Sequence, residues 1–231
     1  MAQQAILAVT VDALGTLVWM EPPAPHLREQ LRRAAGVEVS EEQAAKAFGD
    51  EIAYYLRHHL EGRDPESLSE LRDRCAGVVR TSLGLEHVDL ARISEALLSS
   101  IHFHAFDDAR PALEELRARG LRLVAASNWD ASLPEVLERT GLAPLLDGVV
   151  SSAMVGATKP APEVFRAALE LAGAPAERAL HVGDSLANDI AGARGLGMRA
   201  VLVAREGAGP GADGVPVIAA LTELPGLLSG Q

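Results

Sequence analysis

Four short polar stretches hold the residues of this chain with the types and spacing to do chemistry. They are Asp12 with Thr16, Ser127-Asn128, Thr158-Lys159, and Asp184-Ser185 with Asn188-Asp189 just beyond. Asp12 offers a carboxylate able to act as nucleophile or metal ligand. Asp12, Asp184 and Asp189 brought together would repel one another unless a cation lay between them. With oxygen donors and no cysteine in the set, such a site favours Mg²⁺ over zinc. Lys159 can pair with Asp12 and with an anionic group on a substrate. Ser127, Asn128 and the turn amides after Asp12 can hold the remaining oxygens of that group. A carboxylate nucleophile, a hard cation and a lysine together describe phosphoryl transfer through an aspartyl-phosphate.

Taken singly, each residue has a plainer reading. Asp12 and Asn128 suit turns, Ser127 and Asp184 suit helix N-caps, and Lys159 suits a solvated surface. The elements that precede them argue for the chemical reading. Ile6–Val11 is apolar on both faces, the mark of a buried central strand, and Asp12 stands at its C-terminal end. From Ala105 onward, strands alternate with helices. The strands are Leu121–Ala126, Gly148–Ser151, Ala179–Gly183 and Arg199–Ala204, with Val215–Ile218 as an edge strand. The helices are Pro111–Arg119, Pro134–Arg139, Pro162–Ala172 and Ala187–Leu196, and Glu206–Gly214 is a Gly- and Pro-rich surface loop. This alternation implies a parallel sheet with helices on both faces, whose strand ends converge on one edge.

Between Pro22 and His104 the pattern is helical and no strand is predicted. Pro25–Ala35 is stopped by Gly36, and Ser40 with Gln43 forms a capping box that opens a helix to about Leu60. Pro65 opens a third helix toward Leu83, and Asp89 caps a fourth carrying Ile93, Leu97 and Ile101. Four helices in one block read as a small bundle inserted after the first strand.

The bulk properties set outer limits. A chain of 231 residues, 48% hydrophobic, can bury a full core. A formal charge of -11 argues against a nucleic-acid or anionic-membrane surface. A single cysteine, Cys75, excludes an internal disulfide and a cysteine metal cage. The Met-Ala-Gln-Gln start lacks a positive region, and no apolar run reaches the ~20 residues of a membrane span, so a soluble, cytoplasmic protein is expected. His58-His59 and His102/His104 lack a third ligand at metal-site spacing and are read as surface or packing residues. His181, within an apolar strand, is read as a satisfied core residue. Trp19 and Trp129 flank the predicted site, as a pocket wall or as ordinary packing.

The ordered motifs resemble the haloacid dehalogenase (HAD) superfamily, in the branch with a helical cap after the first strand. The resemblance rests on Val11-Asp12-Ala13-Leu14-Gly15-Thr16-Leu17, Ala126-Ser127-Asn128, Lys159-Pro160 with Pro162–Phe165, and Gly183-Asp184-Ser185 through Asn188-Asp189 with Gly192-Ala193 and Gly197. It implies Asp12 as nucleophile, with Lys159 stabilising it and the anion. It implies Thr16, Ser127, Asn128 and Lys159 as the substrate-binding set. Mg²⁺ would be held by Asp12, the Leu14 carbonyl and Asp184, with Asp189 supporting directly or through water. The fold implied is α/β: a Rossmann-like parallel sheet core (residues 1–17 and 105–231) plus an all-α four-helix cap (18–104). Glu21-Pro22-Pro23 and Ala105–Arg110 would be the hinges.

Leu14 departs from the family's phosphatases, which carry a second Asp there as acid and base. Loss of that group typically costs roughly 10²–10⁴-fold in rate. The family's 2-haloacid dehalogenases also lack that Asp but replace the metal-binding Asp of the fourth motif by Ser, whereas this chain keeps Asp184. They also need an Arg for the halide, for which Arg28, Arg32 and Arg33 are placed by location alone. The expected activity is slow Mg²⁺-dependent hydrolysis of a small phosphorylated metabolite. A dehalogenase is the second reading and a catalytically impaired HAD-fold binding protein the third.

Overall fold

In the computed structural model, residues 5–205 and 214–229 are described, and the elements and counts given are of those residues. The chain packs as two compact units, one of residues 1–19 and 105–231, the other Met20–His104. In chain order the elements are β1 (Ala8–Val11), β2 (Val18–Met20), α1 (Pro23–Ala35), α2 (Glu41–His58), α3 (Pro65–Ser82), α4 (Leu90–Leu98) and β3 (Phe103–Ala105). They continue with α5 (Ala109–Ala118), β4 (Arg122–Ser127), α6 (Leu133–Arg139), β5 (Gly148–Ser151), α7 (Ser152–Val155) and α8 (Pro162–Ala172). The last are β6 (Ala179–Gly183), α9 (Ala191–Gly195), β7 (Arg199–Val203), β8 (Val217–Ile218) and α10 (Leu224–Ser229).

In the first unit, six strands form one parallel sheet in the order β5-β4-β1-β6-β7-β8. β1 is buried along its whole length, as its unbroken apolar pattern predicts for a strand flanked on both sides. After β1 the chain lays down β4 and β5 on one side, then returns to lay β6, β7 and β8 on the other. That reversal makes the C-terminal edge of β1 and β6 a topological switch point, where open α/β sheets form their crevices. Register brings the polar ends together: Val11 lies opposite Ala125 on one side and Val182 on the other. Asp12 is therefore level with Ala126 and Gly183, with Ser127 and Asp184 one residue further out. Beneath the sheet, Phe165 and Ala168 of α8 pack with Val124, Ile190 and Ala193 in a core of fully or nearly fully buried side chains.

The second unit has its own core, in which Leu27, Leu31, Leu71, Val79, Ile93 and Leu97 from α1, α3 and α4 are at most 1% exposed. Its helix starts follow local chemistry. Ser40 and Gln43 form the reciprocal capping box expected, Asp64 and Ser67 form a second, and the Asp89 carboxylate accepts from the Ala91 N–H. Cys75 and Glu51 are both buried in this unit, at 3% and 4% exposure. Glu21 pairs with His26 at 2.7 Å and with His104 at 2.8 Å.

Three elements differ from expectation. Phe103–Ala105 is a strand, pairing with β2 as a two-stranded ribbon. At three residues it is too short for its alternation to stand out as a period of two. α7 is a single turn that no periodicity announces. The expected helix Ala187–Leu196 begins as a wide π-type turn over Leu186–Ile190 before α9. Such turns often mark functional positions, and this one faces Asp189 inward. The predicted loop Glu206–Gly214 lies outside the described residues except for Gly214. Among the described residues, no helix is long and apolar enough to cross a membrane.

Candidate active site

The site is built at the edge of the sheet around Asp12, whose N–H donates to the Val182 carbonyl at 2.9 Å and so continues the β1–β6 ladder. Asp12 Oδ1 accepts from Ser127 Oγ at 2.9 Å and from Lys159 Nζ at 2.5 Å. Among the described residues no donor reaches Asp12 Oδ2. Lys159 is 3% exposed, and its ammonium also donates to the Ala126 carbonyl at 2.9 Å and to Asp189 Oδ1 at 2.5 Å. Three acceptors match its three N–H donors, so the buried charge is fully partnered. Burial alone would lower the Lys159 pKa, but the Asp12 and Asp189 charges outweigh it and hold it above the ordinary lysine value.

Asn128 turns its amide to the other end of the same residue. Its Oδ1 accepts from the Lys159 N–H at 2.7 Å, and its Nδ2 donates to the Lys159 carbonyl at 3.2 Å. The Asn128 side chain thus fixes the Lys159 main chain, while Ser127 and Lys159 reach the nucleophile. The Thr16 side chain is fully buried, and its hydroxyl has no hydrogen-bond partner among the described residues. The Leu14 side chain is 45% exposed.

Asp12, Asp184 and Asp189 each offer a carboxylate oxygen, and these oxygens lie within 4.8 Å of one another. Asp184 is the solvent-exposed member. Desolvation in the crevice, with the Asp12 and Asp189 charges, pushes its carboxyl up to about 6. Burial likewise raises Asp12, against the lowering effect of Lys159. Asp189 goes the other way. Burial opposes its ionisation, but the His181 hydrogen bond and the Lys159 charge hold it far below the usual carboxylate range. An all-oxygen set in which Asp189 raises Asp12, and both raise Asp184, fits a hard divalent cation such as Mg²⁺. The grouping found among the described residues contains no histidine.

His181 is the residue whose part the sequence left unread. It is fully buried, with Nε2 3.1 Å from Asp189 Oδ1 and Nδ1 2.7 Å from Thr10 Oγ1. Burial lowers its pKa, favouring the neutral ring. An ionised carboxylate only accepts, so Nε2 carries the hydrogen and Nδ1 accepts from the Thr10 hydroxyl. A continuous chain thus runs from Thr10 through His181, Asp189 and Lys159 to Asp12. The Ser185 N–H completes it by donating to Asp189 Oδ2 at 3.0 Å. The sole sequence signal was a histidine in an apolar strand. Of the other residues singled out, Trp129 is buried with its indole N–H on Ser132 Oγ at 3.2 Å. Arg32 and Arg33 both pair with Glu29.

A family description of haloacid dehalogenase-like hydrolases matches residues 6–197. The chain belongs to that family. As a HAD-like hydrolase it is 33% identical over 209 residues to a human protein called haloacid dehalogenase-like hydrolase domain-containing protein 3, covering 86% of this chain and 82% of that protein. It is 42% identical over 104 residues to Phosphatase MT3486 of Mycobacterium tuberculosis, covering 44% of this chain and 48% of that one. The crystal structure of a 2-haloacid dehalogenase from Pseudomonas syringae superposes with a TM-score of 0.70 at 27% identity, over 97% of this chain and 99% of that one.

Proposed function

We propose that this HAD-like hydrolase is a phosphatase that transfers a phosphoryl group from a small phosphorylated metabolite to Asp12 and then to water. The observation that carries the reading is the retained Asp184 beside Asp12 and Asp189, a set of anions that needs a cation to work. The likeness to a named phosphatase supports it. Mg²⁺ would be held by Asp12, Asp184 and the Leu14 carbonyl, with Asp189 held back by Lys159 and His181 as a supporting anion. When bound, it would neutralise these carboxylates and the charge on the transferring group.

Asp12 Oδ2, which no donor among the described residues reaches, is the attacking oxygen. Ser127 and Lys159 grip Oδ1 and so orient the carboxylate. The Oδ2–phosphorus bond forms as the ester oxygen departs with its electron pair, and that oxygen takes its proton from solvent, since Leu14 has none to give. Water then attacks phosphorus, the Asp12–phosphorus bond breaks with its electron pair returning to Oδ2, and phosphate leaves carrying the water's oxygen and protons, with the Asp12 carboxylate restored. Lys159 keeps its charge throughout and can meet the anion's oxygens by exchanging one of its three protein acceptors. In this reading residues 18–104 are the cap domain.

Hydrolysis of p-nitrophenyl phosphate with Mg²⁺ tests the reading. Asp12→Asn should abolish turnover, by at least about 10³-fold, and equal rates in variant and wild type would sink the proposal. The 27% identical dehalogenase structure and the Asp12-Ala13-Leu14 sequence favour a second reading. It expects halide release from 2-chloropropionate that EDTA leaves unchanged.

A further inference from the structure

Arg205 lies two residues past the end of β7, 190 positions beyond Gly15 in the chain, and its side chain is 18% exposed. Its guanidinium donates in three directions. Nε reaches the Gly15 carbonyl at 3.2 Å, Nη2 the Thr16 carbonyl at 2.6 Å, and Nη1 Asp108 Oδ2 at 3.0 Å. The flat face of the group sits 3.6 Å from the Phe106 ring centroid. Asp108 is held in turn, its Oδ2 also accepting from the Leu221 N–H at 2.6 Å. The Phe106 N–H donates to the Leu17 carbonyl at 3.0 Å. One side chain therefore ties the turn after the nucleophile to the segment at which the chain re-enters the sheet unit.

A trans peptide is planar, with its C=O and N–H pointing in opposite directions. Holding the Gly15 and Thr16 carbonyls toward Arg205 aims the N–H groups of Thr16 and Leu17 the other way. Both end on the Ala13 carbonyl, at 3.2 and 2.8 Å, and the Val18 N–H joins them at 2.9 Å. The Gly15 N–H closes the loop on the Val18 carbonyl at 2.8 Å. Gly15 has φ +81°, and a Cβ at that position would collide with the Asp184 carboxylate. The turn that Arg205 clamps is thus the one pressed against a candidate metal ligand.

We propose that Arg205 is a positioning residue: it holds the Gly15–Thr16 turn so that Asp12, the Leu14 carbonyl and Asp184 keep their mutual placement. Its effect on turnover rests on the phosphatase reading, whereas its effect on the turn rests on geometry alone. A lysine cannot take its place, because one ammonium on a flexible stem neither spans three acceptors in a plane nor stacks on Phe106.

The test compares the full chain with Arg205→Ala and Arg205→Lys by two readouts. These are amide hydrogen exchange of the peptide covering residues 13–18, and kcat and KM for p-nitrophenyl phosphate with Mg²⁺. Both variants should lose protection over 13–18 by at least about tenfold. Both should lose roughly 10- to 100-fold in kcat with little change in KM, the cost of a misplaced reacting group. Millimolar guanidinium should restore part of the Arg205→Ala rate and none of the Arg205→Lys rate. Unchanged exchange over 13–18 overturns the proposal whatever the activity. Looser exchange with kcat per folded molecule unchanged also overturns it. If the wild type does not hydrolyse the ester but exchange loosens, the clamp stands and the phosphatase reading falls. Should Arg205→Ala not fold, Asp108→Ala, which removes one anchor, carries the same readouts.

Discussion

Two residues past Asp12, the isobutyl group of Leu14 is nearly half exposed and has no proton to lend a departing oxygen. If proton transfer limits turnover, Leu14→Asp should raise phosphatase kcat by roughly 10²–10⁴-fold with poor leaving groups. It should do far less with p-nitrophenolate, so a pair of esters differing in leaving-group pKa is the measurement. Asp184 gives a second expectation that needs no substrate. Its folded pKa, about 6, lies above the ordinary 3.8. Its contribution to stability is therefore present below about pH 4 and lost as pH rises through 6. Mg²⁺ at the site should restore what ionisation costs. Added MgCl₂ should raise the melting temperature clearly at pH 7.5 and little at pH 5, and Asp184→Asn should remove the difference. At this scale the sequence was partly legible. Asp12, Ser127 and Asp184 show themselves because each stands at the end of an apolar strand, and Lys159 because it lies in the polar segment beyond the third such strand, β5. His181 and Arg205 do not, because their partners Thr10 and Gly15 lie 171 and 190 positions away in the chain. No local pattern encodes such a pairing.

The elements follow the same divide. α2 and α3 begin where Ser40 and Asp64 cap them, and such caps act within four residues, which is why they can be read directly. The π-type turn at Leu186–Ile190 was unreadable for the opposite reason. Its shape serves Asp189, whose partners come from three separate elements: Lys159 before α8, His181 on β6, and Ser185 just after β6. α2 carries a further expectation through Glu51. Burial raises its pKa, and a hydrogen bond with Cys75 only partly offsets this. A raised folded pKa means that Glu51 favours folding below its unfolded value of 4.5 and costs stability as pH rises through the folded value. Glu51→Gln should therefore gain melting temperature over the wild type at pH 8 and gain less, or lose, at pH 5. Identical gains at both pH values would show that Glu51 does not titrate there.

For the whole molecule, the sheet unit is assembled from two distant parts of the chain. β1 at the beginning sits between β4 and β6, more than a hundred residues on. The sequence could signal this because the helical block between Pro22 and His104 differs in period from what surrounds it, and a parallel neighbour for β1 must come from beyond that block. The helical unit keeps a core of its own around Leu31, Leu71 and Leu97. It also holds the chain's one sulfhydryl, Cys75, 3% exposed in that core. The sheet unit has no thiol at all, which makes Cys75 a built-in clock for one half of the protein. In excess thiol reagent, its labelling rate reports how often the helical unit opens in native buffer. If the helical unit opens by itself, Cys75 should label faster than the most protected β1 amides exchange. If the two units unfold only as one, both probes should return the same opening free energy.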